Sequence, residues 1–245
     1  MRAKMFALAV AMSSFMMAAD VNAAPAVEGK PAATATTSNT VLGIREYDIA
    51  SIAAYVANGN QDLLKTAMAK GLDDGLTINE IKDVLAQMYA YCGFPRALTA
   101  LGTLTTLLDE RKSQGISDEV GREATPLPEG TDIHKLGTKV QTALSGAPVH
   151  LAASPDLDRY LKDHLFGDIF ASDLLSHKDR EIATIAALSS LPAPIQLDAH
   201  YRISLNAGWT KEQLQDFVQY MQKNVGTAEG KVASDVLTKF LQQQQ

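Results

Sequence analysis

A copy of the chain within itself constrains its fold more than any other feature. Shifted by 133 residues, the segment 48–108 aligns without a gap with the segment 181–241, and 16 of the 61 aligned pairs are identical. The identical pairs include Gly75 with Gly208 and Gly93 with Gly226, so a single register persists through two glycine turns. A match of this length at one fixed shift indicates a duplicated structural unit.

Each copy has the hydrophobic pattern of a group of helices. In the first helix, apolar residues recur at the i, i+3, i+4 and i+7 spacing of one helical face. The third helix of each copy begins with capping-box spacing, Thr77 to Glu80 and Thr210 to Gln213. The predicted helices are 47–58 with its equivalent 180–191, 61–73 with 195–206, the two that follow Thr77 and Thr210, and a shorter one at 95–111. The predicted fold is all-α: a tandem duplication of a helical unit that forms a pseudo-symmetric bundle.

The N-terminus has the pattern of an export signal. Two basic residues precede an apolar run from Met5 to Ala19, and Val21-Asn22-Ala23 places small residues at −3 and −1 of a cleavage site. We therefore expect a cleaved signal peptide and a periplasmic or secreted protein. The predicted organisation is a signal peptide (1–23), a flexible leader (24–40), a first repeat (41–111), a linker (112–157) and a second repeat (158–241).

Composition excludes several classes of function. Hydrophobic residues make up 46% of the chain, which supplies a core, and the net charge of −6 argues against a nucleic-acid binder. The one cysteine rules out an internal disulfide and a cysteine-rich zinc site. No later segment has the length of an apolar membrane span, so we expect no stable membrane insertion after the signal is removed.

The two copies have diverged in complementary ways. The first copy carries Glu80 and Cys92, where the second has Gln213 and Val225, and the second carries His200, where the first has Ala67. A single composite site, with a carboxylate and a thiol from one copy and an imidazole from the other, would explain this pattern. Neutral drift in a structural duplication would explain it as well.

Three motifs carry a resemblance to a known family. They are Q-x3-H-x7-GWT-x-EQL from Gln196, REIATIAAL from Arg180, and Y-x-Y-C-G-F-P-R from Tyr89. The chain resembles the carboxymuconolactone decarboxylase family, which belongs to the alkyl hydroperoxidase D-like superfamily, and is similar to its exported two-repeat members. The resemblance covers about 41–111 and 158–241, and it implies an all-α fold that assembles into a homo-oligomer.

The two branches of this superfamily have different motifs, and the chain matches each of them only in part. The peroxidase branch has the motif Glu-x11-Cys-x2-Cys-x3-His; Glu80 and Cys92 match its first two members, but Pro95 and Thr99 stand at the other two. The resolving thiol of a two-cysteine cycle is therefore missing. In the decarboxylase branch, the Tyr-x-Gly-x-Pro segment and the second-helix histidine resemble Tyr91, Gly93, Pro95 and His200, split here between the two copies.

The residue types suit acid–base chemistry on a small-molecule substrate without a metal or cofactor. Loss of CO2 from a lactone carboxylate leaves an enolate-like charge, and His200 could protonate the carbon while Glu80 orients the imidazole or acts as a base. Arg96 or Arg202 could hold the substrate carboxylate, and Tyr91 is a further candidate for binding the substrate. The leading hypothesis is a decarboxylase-like enzyme, and the alternatives are a one-cysteine, thiol-dependent peroxidase using Cys92 and a non-catalytic oligomeric scaffold.

Overall fold

A computed structural model describes residues 41–244, so the predicted signal peptide (1–23) and the predicted leader (24–40) lie outside the described residues. Within that part, the chain forms nine α-helices and no β-strand, which confirms the all-α prediction. Two of them, α5 and α8, continue into π-helical turns at 160–169 and 221–225. The helices are α1 (Ile44–Asn58), α2 (Gln61–Asp73), α3 (Ile78–Ser113), α4 (Ile133–Ser145), α5 (Pro155–Arg159), α6 (His177–Ser190), α7 (Pro194–Asn206), α8 (Lys211–Tyr220) and α9 (Thr227–Gln242).

The duplication is visible in the order of the helices. Helices α1, α2 and α3 correspond to α6, α7 and the pair α8–α9. The long helix α3 is interrupted at Gly93, whose backbone lies at φ 78° and ψ 161°, a region open to glycine. The equivalent Gly226 separates α8 and its π turn from α9. The helix predicted at 95–111 is therefore the second half of α3.

Helices α1 and α6 pack against each other at the centre of the bundle. Every residue of 48–57 and of 179–189 is buried. A helix buried on all sides has few ways to satisfy a polar side chain except by contact with a neighbouring helix. The polar residues of these two helices therefore mark the places where the repeats are joined.

Equivalent polar pairs join the two repeats. In each case the central helix of one repeat binds the third helix of the other. The pairs are Tyr47 with Asp216 (2.5 Å) and its equivalent Arg180 with Asp83 (2.7 Å), and Ser51 with Tyr220 (2.6 Å) and its equivalent Thr184 with Gln87 (3.0 Å). The described residues thus form one bundle with an approximate two-fold relation between its halves.

The segment between the repeats forms a pair of helices that packs against α7. Helix α4 crosses the π-helical continuation of α5 where Gly137 and Gly167 bring the two backbones into close contact. The residues 158–175 have an amphipathic pattern that predicts one helix, whereas the structure forms α5 and its π-helical turn up to Ile169. No helix within 41–244 has both the length and the apolar character needed to cross a membrane.

Candidate active site

An imidazole and a buried carboxylate form the centre of the candidate site. Glu181 lies on the central helix α6 and is fully buried, and α7 packs against α6 and carries His200. The Nδ1 atom of His200 lies 2.9 Å from Oε2 of Glu181, and the imidazole side chain is 13% exposed. The carboxylate therefore fixes the Nδ1 edge of the imidazole, while part of the ring remains accessible to solvent.

The first repeat contributes Tyr91 to the same place. Tyr91 ends the first half of α3, and its ring meets the imidazole of His200 edge-on, with the ring centroids 5.9 Å apart and the planes at 75°. Burial, together with the negative charge of Glu181, raises the pKa of Tyr91 above its usual value. The hydroxyl therefore stays protonated and can donate a hydrogen bond.

The hydrogen bond to Glu181 determines what His200 can do. A carboxylate at Nδ1 favours the tautomer that carries its proton on that nitrogen, which leaves Nε2 as the atom that exchanges protons. Within the described residues, Nε2 makes no hydrogen bond, and it is not among the fully buried polar atoms. The imidazole can thus exchange a proton at Nε2 while the Glu181 carboxylate holds its Nδ1 atom.

Two further polar atoms of the site are buried and have no hydrogen-bond partner among residues 41–244. They are the Tyr91 hydroxyl, a donor, and Oε1 of Glu181, an acceptor. Buried polar groups are nearly always paired, so an unpaired donor and acceptor beside a histidine are features expected of a site that binds a polar molecule.

The structure places Glu80 away from this histidine. Its carboxylate accepts the backbone N–H of Thr77 at 2.8 Å, which completes the capping box of α3, and it pairs with Arg45 at 2.9 Å. Glu80 and Tyr91 are eleven residues apart on one helix, and at 1.5 Å per residue the separation is about 16 Å. The carboxylate in contact with His200 is therefore Glu181 and not, as the sequence suggested, Glu80.

Cys92 follows Tyr91 and turns towards the main core. It is half-buried and packs with the apolar residues there. Burial raises the pKa of the Cys92 thiol to about 11, although the nearby Arg96 guanidinium acts in the opposite direction. Only a small fraction of this thiol is ionised near neutral pH.

The two candidate cations lie in different places. Arg96 is half-buried beside Cys92 and Gly59, and its Nη1 atom is buried without a partner among the described residues. Arg202 is exposed, and its guanidinium carbon lies 5.5 Å from the centre of the Phe240 ring. Because Arg202 is two residues from His200, it points from about the opposite side of α7. The structure associates Arg96 with the Tyr91 segment and does not bring Arg202 to the imidazole.

Comparison with known protein families now identifies the chain. Residues 31–106 and 155–234 both match the carboxymuconolactone decarboxylase family, and the two matches together cover more than half of the sequence. The chain belongs to this family. A comparison with curated proteins gives no significant match. The first family region contains Tyr91 and Arg96, and the second contains Glu181 and His200, so the candidate site combines residues from two copies of the family domain.

The sequence analysis did not single out Glu181, although its separation from His200 along the chain matches that of a motif already considered. The peroxidase-branch motif puts eighteen residues between its glutamate and its histidine, and residues 182–199 give the same separation between Glu181 and His200. In that register, Ala193 and Gln196 stand at the two cysteine positions. The second repeat thus has the glutamate and histidine at the spacing of that motif but neither of its thiols.

Residues 41–244 contain no group of three or more histidine, cysteine or acidic side chains arranged to hold a metal ion.

Proposed function

We propose that the protein is a decarboxylase-like enzyme that carries out cofactor-independent acid–base chemistry on a small lactone or carboxylic acid. The observation that supports this is the contact between the Glu181–His200 pair of the second repeat and Tyr91 of the first. Family membership adds support, because the same family description covers both halves of the site.

The proposed reaction moves one proton at Nε2 of His200. The carboxylate of the substrate leaves as CO2, its bonding electrons remain on the carbon as an enolate-like anion, and protonated His200 delivers a proton to that carbon. Glu181 stabilises the imidazolium before the transfer. Proton transfer by a positioned side chain typically contributes 10²–10⁴-fold to a rate.

Two other side chains have supporting roles in this proposal. The protonated Tyr91 hydroxyl donates a hydrogen bond to the oxygen on which negative charge develops. Arg96, beside Cys92, is the candidate cation for the leaving carboxylate. Arg202 is left out because it points away from the imidazole.

The test measures CO2 release from carboxymuconolactone and a panel of other lactones and acids that carry a carboxylate. The variants are His200→Gln, Glu181→Gln and Tyr91→Phe. His134→Gln is a matched control, since the Nδ1 atom of the exposed His134 lies 2.6 Å from Asp163 and neither residue belongs to the candidate site. We expect His200→Gln to lower turnover by about 10²–10⁴-fold, and His134→Gln to leave it unchanged.

Two results would contradict the proposal. One is turnover in folded His200→Gln equal to that of the parent protein. The other is absence of CO2 release by the parent protein with every compound in the panel, which would favour a scaffold without catalysis. Circular dichroism of each variant checks that it is folded.

A further inference from the structure

A row of three side chains on the first half of α3 runs from a contact with α6 to the candidate site. Asp83, Gln87 and Tyr91 follow one another at intervals of four residues, which puts them on the same side of the helix. At one end of the row, Asp83 pairs with the guanidinium of Arg180 at 2.7 Å. At the other end, the ring of Tyr91 meets the imidazole of His200. Gln87 lies between these two contacts, one helical turn before Tyr91.

The side chain of Gln87 is fully buried and makes three hydrogen bonds to α6. Its Nε2 atom donates to the backbone carbonyl of Arg180 at 2.8 Å and to the hydroxyl of Thr184 at 3.0 Å. Its Oε1 atom accepts from Nη1 of Arg180 at 3.2 Å. A carboxamide with acceptors on one side and a donor on the other fits in one orientation only. Because Arg180 directly precedes Glu181 and Thr184 lies one turn after Arg180, these bonds hold α3 against the stretch of α6 that carries the site carboxylate.

The break in α3 makes this contact important for Tyr91. Gly93 has non-helical backbone angles, so Tyr91 lies two residues from the point where the regular helix is interrupted. Residues near the end of a helix are held less firmly than residues in its interior. Gln87 is the last fully buried polar side chain of α3 before the break. Its hydrogen bonds are therefore the polar contacts that fix this end of the helix.

The other half of the bundle has a simpler contact at the equivalent place. Tyr220 is equivalent to Gln87 and Ser51 to Thr184, and the two hydroxyls share a single hydrogen bond of 2.6 Å. One turn further along, Asn224 stands in the place of the site tyrosine, and alanine stands in the place of the site histidine. Joining the repeats at this position therefore takes one side-chain bond. The additional bonds of Gln87 occur in the half that holds the site.

We propose that Gln87 is a positioning residue of the site: by binding α6 one turn before Tyr91, its carboxamide sets the place of the Tyr91 hydroxyl relative to the Glu181–His200 pair. Gln87 itself does not touch the substrate. A donor to a developing negative charge acts only from the right distance, and a displacement of about 1 Å can cost about 10²-fold in rate. The kinetic consequence rests on the proposed function, whereas the geometric one does not.

Kinetics of two variants of the full chain test the first consequence. Gln87→Met removes the amide donor and acceptor and nearly keeps the volume of the side chain. Tyr220→Phe is the matched control, because it removes the equivalent hydrogen bond to Ser51 and keeps the ring. We expect Gln87→Met to lower kcat by about 10–10²-fold with KM nearly unchanged, since the lost interaction acts in the transition state. Tyr220→Phe should leave kcat unchanged, although both variants lower the urea concentration at the unfolding midpoint.

A second readout does not depend on turnover. Because the ring of Tyr91 lies beside the imidazole of His200, its ring current shifts the imidazole proton signals of His200 in the NMR spectrum. These signals are assigned by their loss in His200→Gln. We expect them to move in Gln87→Met and to stay in place in Tyr220→Phe. If the parent protein turns over no compound, the proposed function fails, and this comparison still tests the positioning role.

Three results would overturn the proposal. One is a folded Gln87→Met whose His200 signals match those of the parent protein. Another is an equal movement of these signals in Tyr220→Phe, which would mean that any lost contact between the repeats disturbs the site. The third is an active parent protein whose kcat survives in Gln87→Met. Should Gln87→Met lose its helical content, Thr184→Val beside Ser51→Ala removes one partner at each of the two places and gives the same comparison.

Discussion

At the scale of single residues, burial controls the chemistry of Cys92. A pKa of about 11 leaves roughly two-hundredfold less thiolate at pH 8 than the ordinary cysteine value of about 8.5. Because the thiolate is the reactive form, we expect iodoacetamide to alkylate native Cys92 on the order of a hundredfold or more slower than the same residue in urea-unfolded protein. Mass spectrometry of timed samples gives both rates. Equal rates would show that burial does not suppress the native thiol and would revive a peroxidase role.

The carboxylate of Glu80 should make the free energy of unfolding depend on pH. Its carboxylate has a lowered pKa because, although burial opposes this, the Thr77 hydrogen bonds and the Arg45 charge prevail. A carboxylate with a lowered folded pKa stabilises the protein fully above its unfolded value of about 4.3, and that contribution disappears as pH falls through the folded value. Glu80→Gln keeps the capping box, as Gln213 does in the second repeat, but loses the ion pair.

We therefore expect Glu80→Gln to lower the free energy of unfolding by under about 1 kcal/mol at pH 7 and by less at pH 3. Urea titrations at the two pH values measure the difference. An equal loss at both would mean that the effect comes from packing. Turnover should be unaffected, since Glu80 does not touch the histidine site.

At the scale of elements, the break in α3 positions the end of the helix that carries Tyr91. Gly93 lies at φ 78° and ψ 161°, which is strained for any other residue, whereas its equivalent Gly226 lies at φ 174° in ordinary extended backbone. We expect Gly93→Ala to lower the free energy of unfolding by about 1–3 kcal/mol. Gly226→Ala is the control: its new methyl group meets the flexible side chain of Glu229, which can move, so it should cost less. Thermal or urea unfolding of both variants gives the comparison, and a larger loss for Gly226→Ala would contradict it.

Local signals predicted most of the elements. Apolar periodicity predicted the helices of both repeats, and capping boxes marked where α3 and α8 begin, because each signal lies within one turn of the helix. The π-helical turn after α5 was not predicted, since the close crossing of Gly137 and Gly167 depends on a distant helix. The composite site was likewise predicted only in part from the sequence. The complementary loss of residues between the repeats suggested that they share one site, but the choice of Glu181 over Glu80 needed the packing of α7 on α6.

At the scale of the whole molecule, equivalent positions in the two repeats make equivalent contacts across the boundary between the repeats. Asp83 and Asp216 are identical, equivalent residues, yet their partners differ. Asp83 neutralises the fully buried Arg180, while Asp216 accepts hydrogen bonds from the Tyr47 hydroxyl and the Leu42 backbone. The halves are thus joined by a charged pair on one side and by neutral donors on the other.

This asymmetry predicts unequal effects of one substitution at two equivalent places. Asp83→Asn removes the carboxylate that pairs directly with the buried Arg180 cation, and we expect it to lower the free energy of unfolding by about 3–5 kcal/mol. Asp216→Asn keeps an oxygen acceptor for neutral donors and should cost about 1 kcal/mol. Urea unfolding followed by circular dichroism measures both, with one cooperative transition expected because the repeats share a core. Equal losses would show that the charge of Arg180 is stabilised by something other than Asp83, and two separate transitions would show that the repeats unfold independently.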